Sequence, residues 1–152
     1  MWIARDFSAF NVQTFITTLY FIVTILIVSA KSFEELLVWQ KAHAYVLDIY
    51  KMTESFPRSE LFGLTSQMRR AAVSVPANIA EGFEKRGPRD KVRVFNIGQG
   101  SLDESLYYLI LSNDLHYADA LTLRPRLDEI SKMLEAYVQA IERRNSTVWR
   151  PS

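Results

Sequence analysis

The chain has no cysteine. That removes disulfides, thiolate zinc sites and cysteine nucleophiles, and it suits a reducing cytoplasm. Glycine and proline number only five each in 152 residues, too few for the turns of a loop-rich β fold. Net charge is +1, so the chain as a whole is no polycation built to wrap nucleic acid. Phosphate-cradling glycine loops are missing as well: Gly98-Gln99-Gly100 has neither a preceding strand nor a third glycine. His43 and His116 stand far apart, and the Glu-x-x-His pairs of di-metal helical bundles do not occur. These absences leave no catalytic residue, metal ligand or cofactor box to name, and the chain reads as non-enzymatic.

What is present is the composition of an ordinary globular protein, 49% hydrophobic and 23% charged, with enough length for one real core. The composition breaks near residue 31. From Phe15 to Ala30 the run FITTLYFIVTILIVSA carries no charge. As a helix, sixteen residues span about 24 Å, short of the ~30 Å hydrocarbon core of a bilayer. Three readings stay open. The run is a signal peptide, with Val28-Ser29-Ala30 as a small-residue cleavage site but only Arg5, offset by Asp6, ahead of it. It is a single membrane anchor, making the protein membrane-bound instead of cytoplasmic. Or residues 1–31 are an extension, as from a start codon set too far upstream, before a domain that needs nothing from them. The pattern after Lys31 supports the last, with a bundle over 32–145 and a loose tail over 146–152.

Four helical segments follow. In the first, about Glu34 to Ser55, Val38, Ala42, Tyr45, Ile49, Met52 and Phe56 recur at steps of four and three. Phe56-Pro57 ends it, because proline pushes the preceding residue out of the α region. The second starts after Ser59 as N-cap, with Glu60 in its first turn, and carries Leu64, Met68, Ala72, Val75, Ile79 and Phe83. Pro76 predicts a kink, and Gly87 a terminator. The third begins at Pro88 and shows Phe95, Leu102, Leu106 and Leu109, with Gly98 and Gly100 as points of close helix approach. The fourth repeats through Leu123, Leu127, Ile130, Leu134, Tyr137 and Ile141, with Pro125 tolerated in its first turn. Short connections make consecutive helices antiparallel, so the fold class is all-α: an antiparallel up-down-up-down four-helix bundle.

Two polar features stand out. Gln67, Arg70, Ser74, Asn78 and Glu81 form one stripe on the second helix, with Ser101, Asp103 and Glu104 at a comparable level on the third. A solvated face or register-fixing network is one reading; a polar seam between subunits, or a pore wall, is the other. Glu81 beside Arg70 would be a held carboxylate with no partner for acid–base work. The second feature is basic. Lys85, Arg86, Arg89, Lys91 and Arg93 crowd the turn between helices two and three, whereas no Lys or Arg lies between Arg93 and Arg124. The turn is either solvated or a phosphate-attracting end, whose weak hold on nucleic acid would grow if repeated around an oligomer. Trp39, Tyr50, Tyr107 and Tyr108 add aromatic surface beside the core stripes and point to self-association.

The stretch LLVWQKAHAYVLDIYKMTESFPRSELFGLTSQMRRAAVSVPANIAEGF, followed by FNIGQGSLDESLYYL, resembles the bacterial four-helix bundle family of 23S rRNA intervening-sequence proteins. The likeness covers about Ser32 to Ile141, and its most specific run is Phe62 to Phe83. Members resemble the accessory variability determinant of diversity-generating retroelements, which partners a reverse transcriptase and binds nucleic acid. The resemblance implies a cytoplasmic, non-enzymatic, ring-forming scaffold, a pentamer in its relatives, with RNA, DNA or a nucleic-acid enzyme as partner. It supplies no catalytic residues. Gly98 stands where the family pattern leads one to expect alanine.

Because all four stripes lie after Lys31, a chain lacking residues 1–31 is expected to keep its helical content and melt cooperatively. Circular dichroism during heating checks this; an insoluble or molten product would refute it.

Overall fold

Four long helices carry the four stripes: α1 (Leu37–Met52), α2 (Leu64–Glu84), α3 (Pro88–Asp114) and α4 (Arg124–Val148). The structure, a computed structural model, describes residues 30–148, with side chains to residue 145. Each helix packs against the next, and α4 closes against α1, giving an antiparallel up-down-up-down bundle. The charge-free run from Phe15 lies outside the described residues up to Ser29. Among those described, no helix is long and apolar enough to cross a membrane.

The core is the one the heptad steps imply. Val38, Ala42, Tyr45 and Ile49 of α1 meet Met68, Ala72, Val75 and Ile79 of α2, Phe95, Leu102 and Leu109 of α3, and Leu127, Ile130 and Leu134 of α4. Each such Ile or Leu contributes about 1.5–3 kcal/mol relative to exposure. The Tyr45 ring is fully buried, with its hydroxyl beside that of the buried Ser105. Burial, the main cause, pushes the Tyr45 phenol well above its ordinary range, so it stays neutral. On the surface, Lys41–Glu129 at 2.9 Å and Arg126–Asp48 link α1 to α4. Exposed pairs of this kind contribute about 0–1 kcal/mol.

Helix ends depart from the expectation in instructive ways. α1 starts at Leu37, not Glu34, because Leu36 turns its side chain into the core with an extended backbone, leaving Phe33–Glu35 as a separate single turn. Ser59 does not cap α2. The helix starts five residues later, after Gly63, and the cap comes from Glu60: its Oε2 accepts the Leu64 N–H at 2.9 Å. Its Oε1 accepts from the Tyr117 hydroxyl at 3.3 Å, tying the start of α2 to the α3–α4 connection. α2 runs unbroken through a buried Pro76 and ends at Glu84. Gly87 is therefore not its terminator; with φ −78° it precedes Pro88 as the N-cap of α3. The left-handed residue is elsewhere. At the end of α3, His116 takes φ 58°. There the Tyr117 N–H reaches the Ser112 carbonyl and the His116 N–H that of Asn113, both at 3.0 Å. That is a Schellman ending with histidine where glycine is usual. α4 continues three residues past the boundary drawn at Asn145.

Of the two glycines expected to allow close helix approach, Gly98 does so and Gly100 does not, while Gly82 adds an approach that its sequence position did not mark. A Cβ on Gly82 would fall on the Phe95 ring, while one on Gly98 would meet Asn78 Cβ at 3.4 Å and Leu134 Cδ2 at 3.5 Å. Gly100 faces open space. Gly82→Ala should therefore cost about 1–3 kcal/mol by overpacking. Gly100→Ala should stabilise by roughly 0.5–1 kcal/mol through helix propensity alone. Denaturant midpoints of the two variants read both; equal shifts would contradict the packing.

Candidate nucleic-acid interface

The α2–α3 turn and the end of α4 share one end of the bundle, where Pro88, Arg89 and Val92 line a small cleft with Ile141, Glu142 and Asn145. The five basic residues proposed for this turn are not equivalent. Lys91 is folded back: its Nζ donates to the Phe83 carbonyl at 2.6 Å and lies 5.3 Å from the Phe83 ring centroid. It caps the Phe83 carbonyl in the last turn of α2. Burial, opposed by Glu84, lowers its pKa. Lys85 pairs with Glu81 at 2.9 Å, and Arg93 reaches Asp90 at 4.0 Å. Arg86 and Arg89 are exposed and pair with no carboxylate among the described residues. The last turns of α4 bring Arg143 and Arg144 to the same end, which sequence separation had hidden. Antiparallel pairing of α3 with α4 was the signal that would have found them.

The polar stripe divides as well. Ser74, Asn78 and Ser101 come together between α2 and α3. Asn78 Nδ2 donates to the Ser74 carbonyl at 2.7 Å and to Ser74 Oγ at 3.0 Å, and Ser101 Oγ donates to Ser74 Oγ at 2.9 Å. This network fixes the register of α2 on α3. Gln67 and Arg70 stay exposed outside it, and Glu104 accepts from the Tyr108 hydroxyl at 2.8 Å. Glu81 is not held by Arg70. The Lys85 ammonium, one turn away, bonds its carboxyl and holds it below the usual carboxylate range.

His43 stacks on Trp39 with ring centroids 5.2 Å apart, and no acidic or histidine cluster fit for a metal occurs among the described residues. Of the four surface aromatics, Tyr50 and Tyr107 are exposed, whereas Trp39 and Tyr108 lie half-buried against the core.

The fold, with α2 and α3 joined by a basic turn, coincides with a sequence match. Residues 34–136 match the family described as 23S rRNA-intervening sequence protein, from the single turn before α1 to the middle of α4. The chain belongs to that family. No curated protein matches it. The family match takes in the basic turn, the Ser74–Asn78–Ser101 network and the whole of α1 to α3.

Lys91→Met is expected to destabilise the protein by about 1 kcal/mol, since the Phe83 carbonyl loses its charged donor. The denaturant midpoint tests this. An unchanged midpoint would mean that the contact contributes nothing.

Proposed function

We propose that the protein is a non-enzymatic binding or scaffold protein of the cytoplasm, ring-forming like the pentamers that the resemblance implies. It would hold a nucleic acid, or the nucleic acid of a processing enzyme it partners, at the α2–α3 end of the bundle. The observation that carries this reading is the pair of exposed guanidiniums, Arg86 and Arg89, without a carboxylate partner among the described residues beside neighbours that are already engaged. A guanidinium fork matches phosphate oxygens in shape and charge, so an unengaged pair at a helix junction suits a phosphate backbone. Net charge cannot supply affinity here, since the chain's +1 is close to neutral. Repetition of the basic end around identical subunits would supply it, through effective concentration. The family's description, which refers to a sequence intervening in 23S rRNA, is in keeping with this setting.

Binding is expected to fall steeply with salt, because each neutralised phosphate releases counterions. Replacing Arg86 and Arg89 together by glutamine should weaken binding to RNA and DNA of any sequence alike, since phosphate contacts do not read bases. It should lower the salt slope by about 2 per engaged subunit on duplex DNA. Lys91→Met should leave affinity unchanged. Titrations of mixed-sequence RNA and DNA at low and moderate salt measure all of this; no detectable binding at low salt would overturn the reading.

A further inference from the structure

Two surfaces that no described residue covers flank the α2–α3 face, and their chemistries are complementary. The first is an open groove of about 670 Å³ over the N-terminal half of α2, with Tyr50, Leu61, Phe62, Arg69, Arg70 and Val73 in its lining. The rest of the lining is hydroxyl-bearing, and no carboxylate takes part. Phe62 is 91% exposed and Leu61 52%, a costly surface to leave in water. Arg69 is held in advance of any partner. Its Nε donates to Thr53 Oγ1 at 2.8 Å, an NH2 donates to the Tyr50 carbonyl at 3.4 Å, and the guanidinium lies 4.6 Å from the Tyr50 ring centroid. Thr53 is itself buried. A guanidinium fixed by uncharged groups keeps its charge and remaining N–H donors for something outside. Arg70 beside it has no ion-pair partner among the described residues.

The second surface is the outward stripe of α3. Asp103, Tyr107, Ile110 and Asp114 follow steps of four, three and four, so they share one face, and all four are exposed. Tyr107 is 58% exposed. Neither Asp103 nor Asp114 has an ion-pair partner among the described residues, and no Lys or Arg lies on α3 after Arg93. One surface thus offers aromatic and aliphatic groups around two unpaired cations. The other offers an aromatic and an aliphatic group between two unpaired anions.

Their placement matters as much as their chemistry. The Ser101–Ser74 hydrogen bond at 2.9 Å sets the antiparallel register, so residues 62–73 of α2 lie level with about residues 102–113 of α3. The groove reaches toward α1 through Tyr50. The stripe lies toward α4, because Gln99, one turn before Asp103, bonds Ser131. A copy therefore carries unlike surfaces at equal height on two flanks. Rotation about an axis parallel to the bundle brings the stripe of one copy to the groove of the next with no axial shift. Repetition of such a head-to-tail contact closes a ring.

We infer that the partner of this groove is a second copy of the chain, whose α3 stripe (Asp103, Tyr107, Ile110, Asp114) seats against Phe62, Arg69 and Arg70. The inference rests on the self-association in the proposed function and names the surfaces that build it. Tyrosine and arginine in a desolvated patch are the groups that dominate interface energetics.

Sedimentation of the full chain at micromolar concentration tests it, with circular dichroism confirming the fold of each variant. Wild type should associate, and Arg70→Glu or Asp103→Lys plus Asp114→Lys should each weaken association by at least about tenfold. Phe62→Ala, which removes a side chain 91% exposed and so does not threaten folding, should weaken it too. The decisive arm mixes the Arg70→Glu chain with the Asp103→Lys/Asp114→Lys chain. Each retains one native surface, and the two altered surfaces attract, so the mixture should associate at concentrations where either chain alone stays largely monomeric. If wild type associates and the variants do so equally well, these surfaces are wrong while self-association stands. A wild type that stays monomeric overturns both, and capture of an acidic segment from another protein by such a monomer would assign the groove to that partner instead.

Discussion

α2 and α3 approach closely because Gly82 leaves room for the Phe95 ring and Gly98 lies against Asn78 and Leu134. This seam fixes much else. Two helices this close have little freedom to slide, and the Ser74–Asn78–Ser101 hydrogen bonds remove what remains by making one register satisfy three polar side chains. Once α2 and α3 are set, their short basic turn defines one end of the molecule, and their outer faces define its flanks. α1 and α4 then close the core from the other side, held to each other by Lys41–Glu129 and Arg126–Asp48.

Charge is distributed along that frame by use. At the turn, lysines and arginines that neighbours can engage are engaged: Lys91 finishes α2, Lys85 holds Glu81, Arg93 reaches Asp90. What remains for solvent or a ligand is Arg86 and Arg89. At the opposite end, Glu60 is spent on capping α2 and on Tyr117, which leans on Phe56 with ring centroids 5.6 Å apart. A nearly neutral protein thus presents local charge of both signs, cationic in the α2 groove and anionic along α3, at sites that form no ion pair among the described residues. Local arrangement, not the total, decides what such a surface attracts.

Much of the fold was legible in the sequence. Heptad steps in Val38 to Ile49, Leu64 to Ile79 and Leu127 to Tyr137 name residues that are in fact buried, since a helix can hide only one stripe and these residues share it. Helix ends were less legible. Ser59 looked like a cap, but a cap must sit where the chain turns, and the chain turns at Gly63, with Glu60 reaching forward to do the work. Gly87 looked like a helix terminator, yet Lys85 leaves the helix first and Gly87 serves the next one.

The sequence by itself determined the helices, their antiparallel order, the core stripes and the presence of a basic turn, because each follows from periodicity and short connections within a single stretch of chain. Only the tertiary structure decided which glycine lets two helices touch, which cations are already paired, and which polar residues of the α2 stripe meet α3. Those outcomes depend on distances between residues on different helices. Gly82 and Gly100 are alike as letters, and differ only because a phenylalanine ring lies over one and solvent over the other.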